Sequence, residues 1–257
     1  MHVNSVFSMS ANTTTITNEE RLAIDEHPTL SIIIPVHNEE KILEEQTLEL
    51  IKYTKQLVDK FEVLFVENGS VDETLQTIKK LQRHFSFVRL LILGKADYST
   101  AVIEGIKKAK GKYSIIIGID FVDIGVLNRC LHALKGSDIV ICSKNIGLDK
   151  RPFLNRLANR CYNTLVRILF GLRYSDVEGY HGYNTKKIQS LVADVKTKVH
   201  LGNLWVLVKA KKAGLQVNEV PFIVYERRKS NFMKFTHLPY LAAISLIEFV
   251  KLKCKRY

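Results

Sequence analysis

The sequence predicts an α/β fold in which helices flank both faces of a mostly parallel central β-sheet. Two observations predict it: short runs rich in Ile, Leu and Val recur between residues 30 and 143, and segments with helical periodicity separate them. Strands that are buried on both faces are almost continuously apolar, and parallel strands need a crossover between them. The chain has 257 residues, 46% of them hydrophobic, which is enough to bury one substantial core.

Strand and helix alternate through the first half of the chain. The second strand ends at Asn68-Gly69, a turn dipeptide, and Asp72 is placed to cap the helix that follows. Gly111 ends the helix before the fourth strand. The predicted strands cover 30–34, 61–66, 88–93, 113–117 and 138–143, and the predicted helices cover 39–58, 72–82, 99–109 and 125–135.

Amphipathic helices distinguish the second half. The first, at 152–170, has an apolar and a basic face, so it either lies in a membrane headgroup layer or packs against the sheet. The last, at 239–252, is apolar, and we expect it to pack in the protein or in an oligomer contact. Between them we predict a loop at 175–183, a helix at 203–213 and a strand at 217–224. The apolar face of the first helix consists of Leu154, Leu157, Ala158, Cys161, Leu165 and Leu169, and its polar face of Arg156, Arg160, Asn163 and Arg167.

Composition divides the chain into three parts. Residues 1–29 are polar, and such a segment buries too little to offset its ordering entropy, so we predict a disordered tail. Residues 30–231 are predicted to form the folded domain, and residues 232–257 a C-terminal helix that is apolar and then basic.

The excess of basic residues favours an anionic partner. Lys and Arg number 38 against 26 Asp and Glu, so the net charge of +12 attracts phosphate groups, an anionic membrane or nucleic acid. The basic clusters carry no nucleic-acid-binding motif, so we predict no nucleic acid partner. The four cysteines lack Cys-x-x-Cys spacing and the N-terminus lacks a secretory pattern, so we expect a cytoplasmic protein, peripheral where it touches a membrane.

Short motifs follow one another in a specific order. They are SIIIPVHNEE at 31–40, VENGSVDET at 66–74, TAVIEG at 100–105, AKGKY at 109–113, DVEGY at 176–180, AG to EVP at 213–221, and ERR at 226–228. In order and spacing they resemble those of inverting glycosyltransferases of family 2, most closely the dolichyl-phosphate mannose synthase branch. The resemblance implies a GT-A fold, an α/β domain that holds a nucleotide sugar at the carboxyl ends of its strands.

The resemblance implies which residues bind the nucleotide sugar. Pro35, His37 and Glu39 would line the base pocket, and Glu67, where the family usually has Asp, would accept a hydrogen bond from the base. A strand-to-helix turn with an N-cap is the alternative explanation of 68–72. The remaining candidates are Asn68, Gly69, Asp97, Gly118 and Asp120, with Lys95 and His181 as further pocket residues.

The resemblance also implies a divalent cation, Mg²⁺ or Mn²⁺, held by an Asp-x-Asp motif after the fourth strand. The motif falls on 118–120, where Asp120 supplies the second carboxylate and Gly118 replaces the first. Such a cation bridges the phosphates of the donor, and hard cations take several oxygen ligands. Asp123 is a further candidate ligand. The alternative is that Asp120 only ends a strand and caps a turn.

Acidic and basic residues further along the chain are the catalytic candidates, together with Asp120. Asp176 lies in the loop that relatives place near the acceptor, with a helix-terminus or salt-bridge role as the alternative. Arg227 and Arg228 resemble a basic cluster that holds phosphates, with a solvated charge run as the alternative. Relatives often carry an acidic residue near Trp205, where this chain has none. An ionised lipid phosphate needs no general base, so this absence favours it as the acceptor.

Together these features predict a glycosyltransferase that moves a sugar from a nucleotide sugar to a polyprenyl (dolichyl) phosphate at the cytoplasmic membrane surface, by one inverting displacement. A sugar hydroxyl is the alternative acceptor. The carboxylates absent at 118 and near 205 favour a different class, a catalytically degenerate member that binds a nucleotide or a partner protein.

Overall fold

One β-sheet runs through the part of the chain that the computed structural model describes, which is residues 28–94, 97–120, 123–195 and 201–224. Its strands are β1 (Leu30–Val36), β2 (Phe61–Glu67), β3 (Val88–Ile92), β4 (Tyr113–Ile116), β5 (Ile139–Asp149), β6 (Tyr180–Asn184) and β7 (Val217–Val224). The helices are α1 (Leu43–Leu57), α2 (Thr74–His84), α3 (Tyr98–Lys108), α4 (Val126–Leu134), α5 (Phe153–Phe170), α6 (Thr185–Val192) and α7 (Gly202–Lys212).

The strand order is β3-β2-β1-β4-β6-β5-β7. The pairs of β1 with β2, β1 with β4, β2 with β3 and β5 with β7 are parallel, which confirms the mostly parallel sheet. Strand β6 runs antiparallel to both of its neighbours, β4 and β5. Its first residue, Tyr180, therefore lies at the edge of the sheet where β1, β2 and β4 end.

Apolar side chains on both faces of the sheet form two separate cores. Along β1, Ile32 and Ile34 belong to the core that includes α1, α2 and α4, while Ile33 belongs to the core on the opposite face with α3, α6 and α7. All three are fully buried. This alternation explains why the strands are apolar at nearly every position, as the sequence predicts.

Most predicted elements are confirmed, with boundaries shifted by a few residues, but the region after α5 differs. The predicted loop at 175–183 is wrong in its second part, because β6 begins at Tyr180, and the sequence pattern also missed α6. Strand β6 reads YHGYN, without the Ile and Val that mark the other strands. Its Gly182 is required by packing, since a Cβ there would overlap the Cys130 sulfur.

The predicted boundaries of the domain stay predictions. Residues 1–27, nearly all of the proposed tail, and the C-terminal helix lie outside the described residues. At the start of the described chain, the Pro28 carbonyl accepts a hydrogen bond from Lys112 N–H, and Thr29 N–H donates to the Lys60 carbonyl.

Candidate functional site

Hydrogen bonds join the segments that follow β1 and β2 into one polar surface. His37 Nδ1 lies 3.0 Å from the Asn68 carbonyl oxygen, and Asn38 N–H donates to the Ser70 hydroxyl at 3.0 Å. The Asn38 side-chain oxygen accepts a hydrogen bond from Val71 N–H at 2.9 Å. Asn38 is left-handed, with φ of 57°, a conformation that costs energy and persists here because these bonds hold it. Two residues predicted to bind the nucleotide sugar, His37 and Asn68, are therefore in contact.

Two acidic candidates, Glu67 and Asp97, bind backbone N–H groups. The Glu67 carboxylate is buried and accepts a hydrogen bond from Ser70 N–H at 2.5 Å. The Asp97 carboxylate caps α3, accepting from Ser99 N–H at 3.0 Å, and its own N–H donates to Asn68 Oδ1 at 2.7 Å. These contacts are those of a strand-to-helix turn, and the role of both carboxylates in nucleotide binding stays a prediction.

The remaining candidates at this edge are Pro35, Glu39 and Gly69. Pro35 is half-buried within β1, and Glu39 is half-buried with its N–H donating to Thr74 Oγ1 at 2.8 Å. Gly69 has φ of 73°, a left-handed conformation that favours glycine, so its place in the motif has a backbone reason. Their contact with a base stays a prediction.

A second polar cluster surrounds Gly118, just beyond β4. The Tyr180 hydroxyl is hydrogen-bonded to the Gly118 backbone, because antiparallel β6 begins beside the end of β4. Asp120 is exposed at the same place. Partial desolvation raises the pKa of Tyr180 and that of Tyr98, although Tyr98 is 37% exposed. The negative charge of Asp120 raises both pKa values further, and that of Glu178 also raises the pKa of Tyr98. Asp120, Tyr98 and Tyr180 are therefore neighbours at this edge.

Glu178 is held between two helices next to this cluster. Tyr162 of α5 donates its hydroxyl hydrogen to Glu178 Oε1 at 3.0 Å, and the Asn203 side chain of α7 also bonds the carboxylate. Burial raises the pKa of Glu178 to about 7, and the charge of Asp176 raises it too, while the bonds from Tyr162 and Asn203 and the charge of Lys144 lower it. With this pKa, the Glu178 carboxyl is partly protonated and partly ionised near neutral pH.

Asp176, the predicted acidic residue of the acceptor loop, is fully buried in an ion pair. Its Oδ2 atom lies 2.7 Å from Lys144 Nζ, and Lys144 N–H donates to the same oxygen at 3.2 Å. The salt-bridge alternative is therefore what the contacts show, and a catalytic role stays a prediction. His181 is also buried, against the Tyr183 hydroxyl, and burial lowers the pKa of His181 to about 4.

The described residues do not fit the two-carboxylate cation site that the resemblance implies. Within the described ranges, no three His, Cys, Asp or Glu side chains are grouped so that they could hold a metal ion. Asp123 forms an ion pair with Arg129 and accepts a hydrogen bond from Ile223 N–H at 3.2 Å. The expectation of Mg²⁺ or Mn²⁺ therefore rests on Asp120 alone.

Three of the predicted basic residues cannot be placed. Arg227 and Arg228, predicted to hold phosphates, and the pocket candidate Lys95 lie outside the described residues. Conversely, sequence reasoning missed Tyr98 and Tyr180 as site residues and did not assign Glu178 a role. Gly118 was a signal in the sequence that another side chain could lie at this position, because a glycine leaves space that a neighbouring residue can fill.

Part of the polar side of α5 points toward the protein, while Arg160 and Arg167 on that side are exposed. Asn163 is buried, and its side-chain oxygen accepts a hydrogen bond from Val177 N–H at 2.8 Å. Asn159 lies 3.4 Å from the Asp176 carboxylate. The Nε atom of Arg156 is buried, and it has no hydrogen-bond partner in the described part of the chain. Polar groups of α5 therefore adjoin the acidic residues of the site.

Most of the apolar side of α5 faces outward. Of the two alternatives given above, packing of that side against the sheet therefore does not describe these residues. Leu169 is an exception, since it packs against the core that also contains the buried Val166 of this helix. Among the helices described, none combines the length and apolarity that a membrane span requires. The exposed large apolar residues of α5 are Phe153, Leu154, Leu157, Leu165 and Ile168, and Ile146 and Leu148 of β5 are exposed as well.

Comparison with known proteins gives relatives at low identity. The dolichol-phosphate mannosyltransferase of Pyrococcus furiosus is 27% identical over 136 residues, 51% of this chain and 38% of that protein. The undecaprenyl-phosphate 4-deoxy-4-formamido-L-arabinose transferase of Proteus mirabilis is 22% identical over 219 residues, 82% of this chain and 65% of that protein. The chain spans less than two thirds of the length of either relative.

A solved structure shares the fold. Glucosyl-3-phosphoglycerate synthase from Mycobacterium tuberculosis, in complex with Mn²⁺, UDP-glucose and phosphoglyceric acid, superposes with a TM-score of 0.65 at 16% identity, covering 92% of this chain and 84% of that one. This likeness confirms the GT-A fold. The model of the family described as glycosyl transferase family 2 matches residues 31–189, more than half of the chain. The motifs, the sheet and this match agree, and the chain belongs to glycosyl transferase family 2.

Proposed function

We propose that this chain transfers a sugar from a nucleotide-sugar donor to a polyprenyl phosphate at the cytoplasmic surface of a membrane. The observation that carries the proposal is the orientation of α5, whose polar side contacts the acidic residues of the site and whose apolar side is exposed. A polyprenyl phosphate is divided in the same way, into an ionised head and an apolar chain. Both relatives described above are named for lipid phosphates, which supports this acceptor.

The donor is assigned to the carboxyl edge of β1, β2 and β4. The base would contact Pro35, His37 and Glu39, with Glu67, Asn68, Gly69 and Asp97 shaping the pocket, and the diphosphate would lie at Gly118 and Asp120. Hydrogen bonds already link the ends of β1 and β2, so the pocket is pre-organised to that extent. Ligands of open α/β sheets bind at this edge.

The membrane is assigned to the exposed face of α5. Ile168 is 74% exposed, Phe153 65% and Leu154 60%, and these residues with Leu157 and Leu165 form a continuous apolar stripe at helical spacing. Arg160 and Arg167 flank the stripe and are exposed, so they can contact anionic headgroups. A helix of this kind lies in the membrane interface with its apolar side down.

In the proposed reaction, an oxygen of the acceptor phosphate attacks the anomeric carbon of the sugar. The bond from that carbon to the diphosphate breaks in the same displacement, and the diphosphate leaves with the bonding electrons, so the configuration inverts. We assign phosphate binding to Arg156, Arg227 and Arg228, because guanidinium groups form paired hydrogen bonds with phosphate oxygens. Asp176 is a positioning residue that acts by holding the Lys144 ammonium.

Two observations keep other functions open. Glu178 carries a carboxyl that exchanges a proton near pH 7, as a base for a sugar-hydroxyl acceptor would. Gly118, and the stretch around Trp205, lie where relatives often carry acidic residues, which favours a member that binds a nucleotide or a partner protein without catalysis.

The first prediction concerns transfer itself. Purified full-length protein in detergent, given radiolabelled UDP- and GDP-sugars with dolichyl or undecaprenyl phosphate, should form a sugar-lipid that partitions into organic solvent. Arg156→Ala should lower kcat/KM by about tenfold or more, because a charge-assisted hydrogen bond to the acceptor is lost. Arg83→Ala, at an exposed position on α2 away from the site, is the control and should keep the wild-type rate. Nucleotide binding without transfer to either lipid would support the non-catalytic alternative.

The second prediction concerns membrane binding. The double variant Leu157→Glu and Leu165→Glu should bind vesicles of phosphatidylcholine and phosphatidylserine at least about tenfold more weakly, since each leucine loses roughly 1.5–3 kcal/mol of burial. Sedimentation with vesicles measures this. Leu48→Glu on α1 is the control, because Leu48 is 45% exposed, as Leu157 is. Equal binding of the wild type and the double variant to vesicles would contradict the proposal that α5 contacts the membrane.

The third prediction concerns pH. The pKa of Glu178 is about 7 in the folded protein and ordinarily near 4.5, so the folded state holds the extra proton between those values. The free energy of unfolding should therefore fall as pH rises through that window, and the contribution of Glu178 to this fall is at most about 3 kcal/mol. Glu178→Gln should flatten the fall, measured by urea unfolding at pH 5 and pH 8, whereas Glu49→Gln, at an exposed position, should not. Parallel pH profiles for Glu178→Gln and the wild type would refute the raised pKa.

A further inference from the structure

The space beside Gly118 is filled by a side chain from another strand. A Cβ at position 118 would lie 2.8 Å from Asp120 Oδ1 and 3.0 Å from the Tyr180 hydroxyl oxygen. Both distances are shorter than ordinary van der Waals contact, so with an aspartate at 118 the Asp120 carboxylate would have to move and the Tyr180 hydroxyl would have to yield by a few tenths of an ångström. The Tyr180 hydroxyl therefore lies where the first carboxylate of an Asp-x-Asp pair would need room.

Tyr180 is fixed in this position from three sides. Its backbone is the first residue of β6 and pairs with Cys142 of β5. Its ring packs against Phe222, with 4.7 Å between the ring centroids. The Gly118 backbone N–H donates a hydrogen bond to the Tyr180 hydroxyl oxygen. Such a group is pre-organised, so little conformational freedom remains to be lost when a ligand binds.

The chemistry at this point differs from that of a carboxylate pair. Each carboxylate that faces a diphosphate repels it unless a cation neutralises the charge, so a pair repels it more than Asp120 alone does. A phenol is neutral and has a hydrogen to donate. Burial and the Asp120 charge raise the pKa of Tyr180, so the phenol keeps that hydrogen at physiological pH.

We propose that Tyr180 replaces the first carboxylate and donates its hydroxyl hydrogen to the diphosphate of the donor, so that donor binding does not require a divalent cation. This inference rests on the proposed function, because it assumes that the diphosphate lies at Gly118. It deepens that proposal by naming the group that recognises the diphosphate.

Calorimetric titration with UDP and GDP, in EDTA and in Mn²⁺, tests the proposal. For whichever nucleotide binds, the wild-type dissociation constants in the two buffers should agree within about threefold. Tyr180→Phe should weaken binding in EDTA by about tenfold or more, since it removes one hydrogen bond to a charged group. Tyr113→Phe, at the opposite end of the sheet, is the matched control and should bind as the wild type does.

A second pair of variants tests the space itself. Gly118→Asp alone should bind Mn²⁺ no better than the wild type, whereas Gly118→Asp with Tyr180→Phe should bind it more tightly, as read from the free Mn²⁺ signal in electron paramagnetic resonance. The proposal is overturned if wild-type binding requires Mn²⁺, a result that stands even if Tyr180→Phe fails to fold. It is also overturned if Tyr180→Phe folds and binds in EDTA like the wild type. If neither nucleotide binds the wild type in either buffer, the proposed donor site fails together with this inference.

Discussion

The reversal of strand direction at β6 determines which side chains can meet at the candidate site. Because β6 runs antiparallel to β4, its first residue lies beside the end of β4, and Tyr180 reaches Gly118. The loop that precedes β6 arrives at the same edge and brings Glu178 and Asp176 with it. In a parallel arrangement these residues would lie at the opposite edge, far from Asp120. The donor side and the acceptor side of the proposed reaction are adjacent for this reason.

Helix α5 connects that edge to the surface through an unusual distribution of polarity. Its inward side makes polar contacts to the loop before β6, from Asn159, Tyr162 and Asn163, and also packs Val166 into a core, while five of its large apolar residues face outward. Exposed apolar surface of this extent is unfavourable in water, so a contiguous stripe indicates an interaction surface. In the proposed reaction, a lipid acceptor would bring its phosphate to the polar contacts of α5, and the exposed apolar stripe of the same helix would contact the membrane.

Much of the fold could be predicted from the sequence, because buried parallel strands and amphipathic helices have strong periodic signals. Strand β6 could not, since YHGYN carries no such signal and its pairing is decided by two neighbouring strands. The motifs placed His37, Asn68 and Asp120 at one sheet edge. They could not show that Asp176 is held by Lys144, because that contact depends on how β5 and the loop before β6 pack.

The contact between Tyr180 and Gly118 also could not be predicted from the sequence, because it depends on how β6 pairs with β4. The most direct test of the proposed site concerns this contact. A crystal structure of the protein with UDP or GDP bound, whichever binds, would locate the diphosphate. The account predicts the base at the ends of β1 and β2, near His37, and a phosphate oxygen within hydrogen-bond distance of the Tyr180 hydroxyl. A nucleotide at the opposite edge of the sheet, or a diphosphate that makes no contact near Gly118, would contradict it.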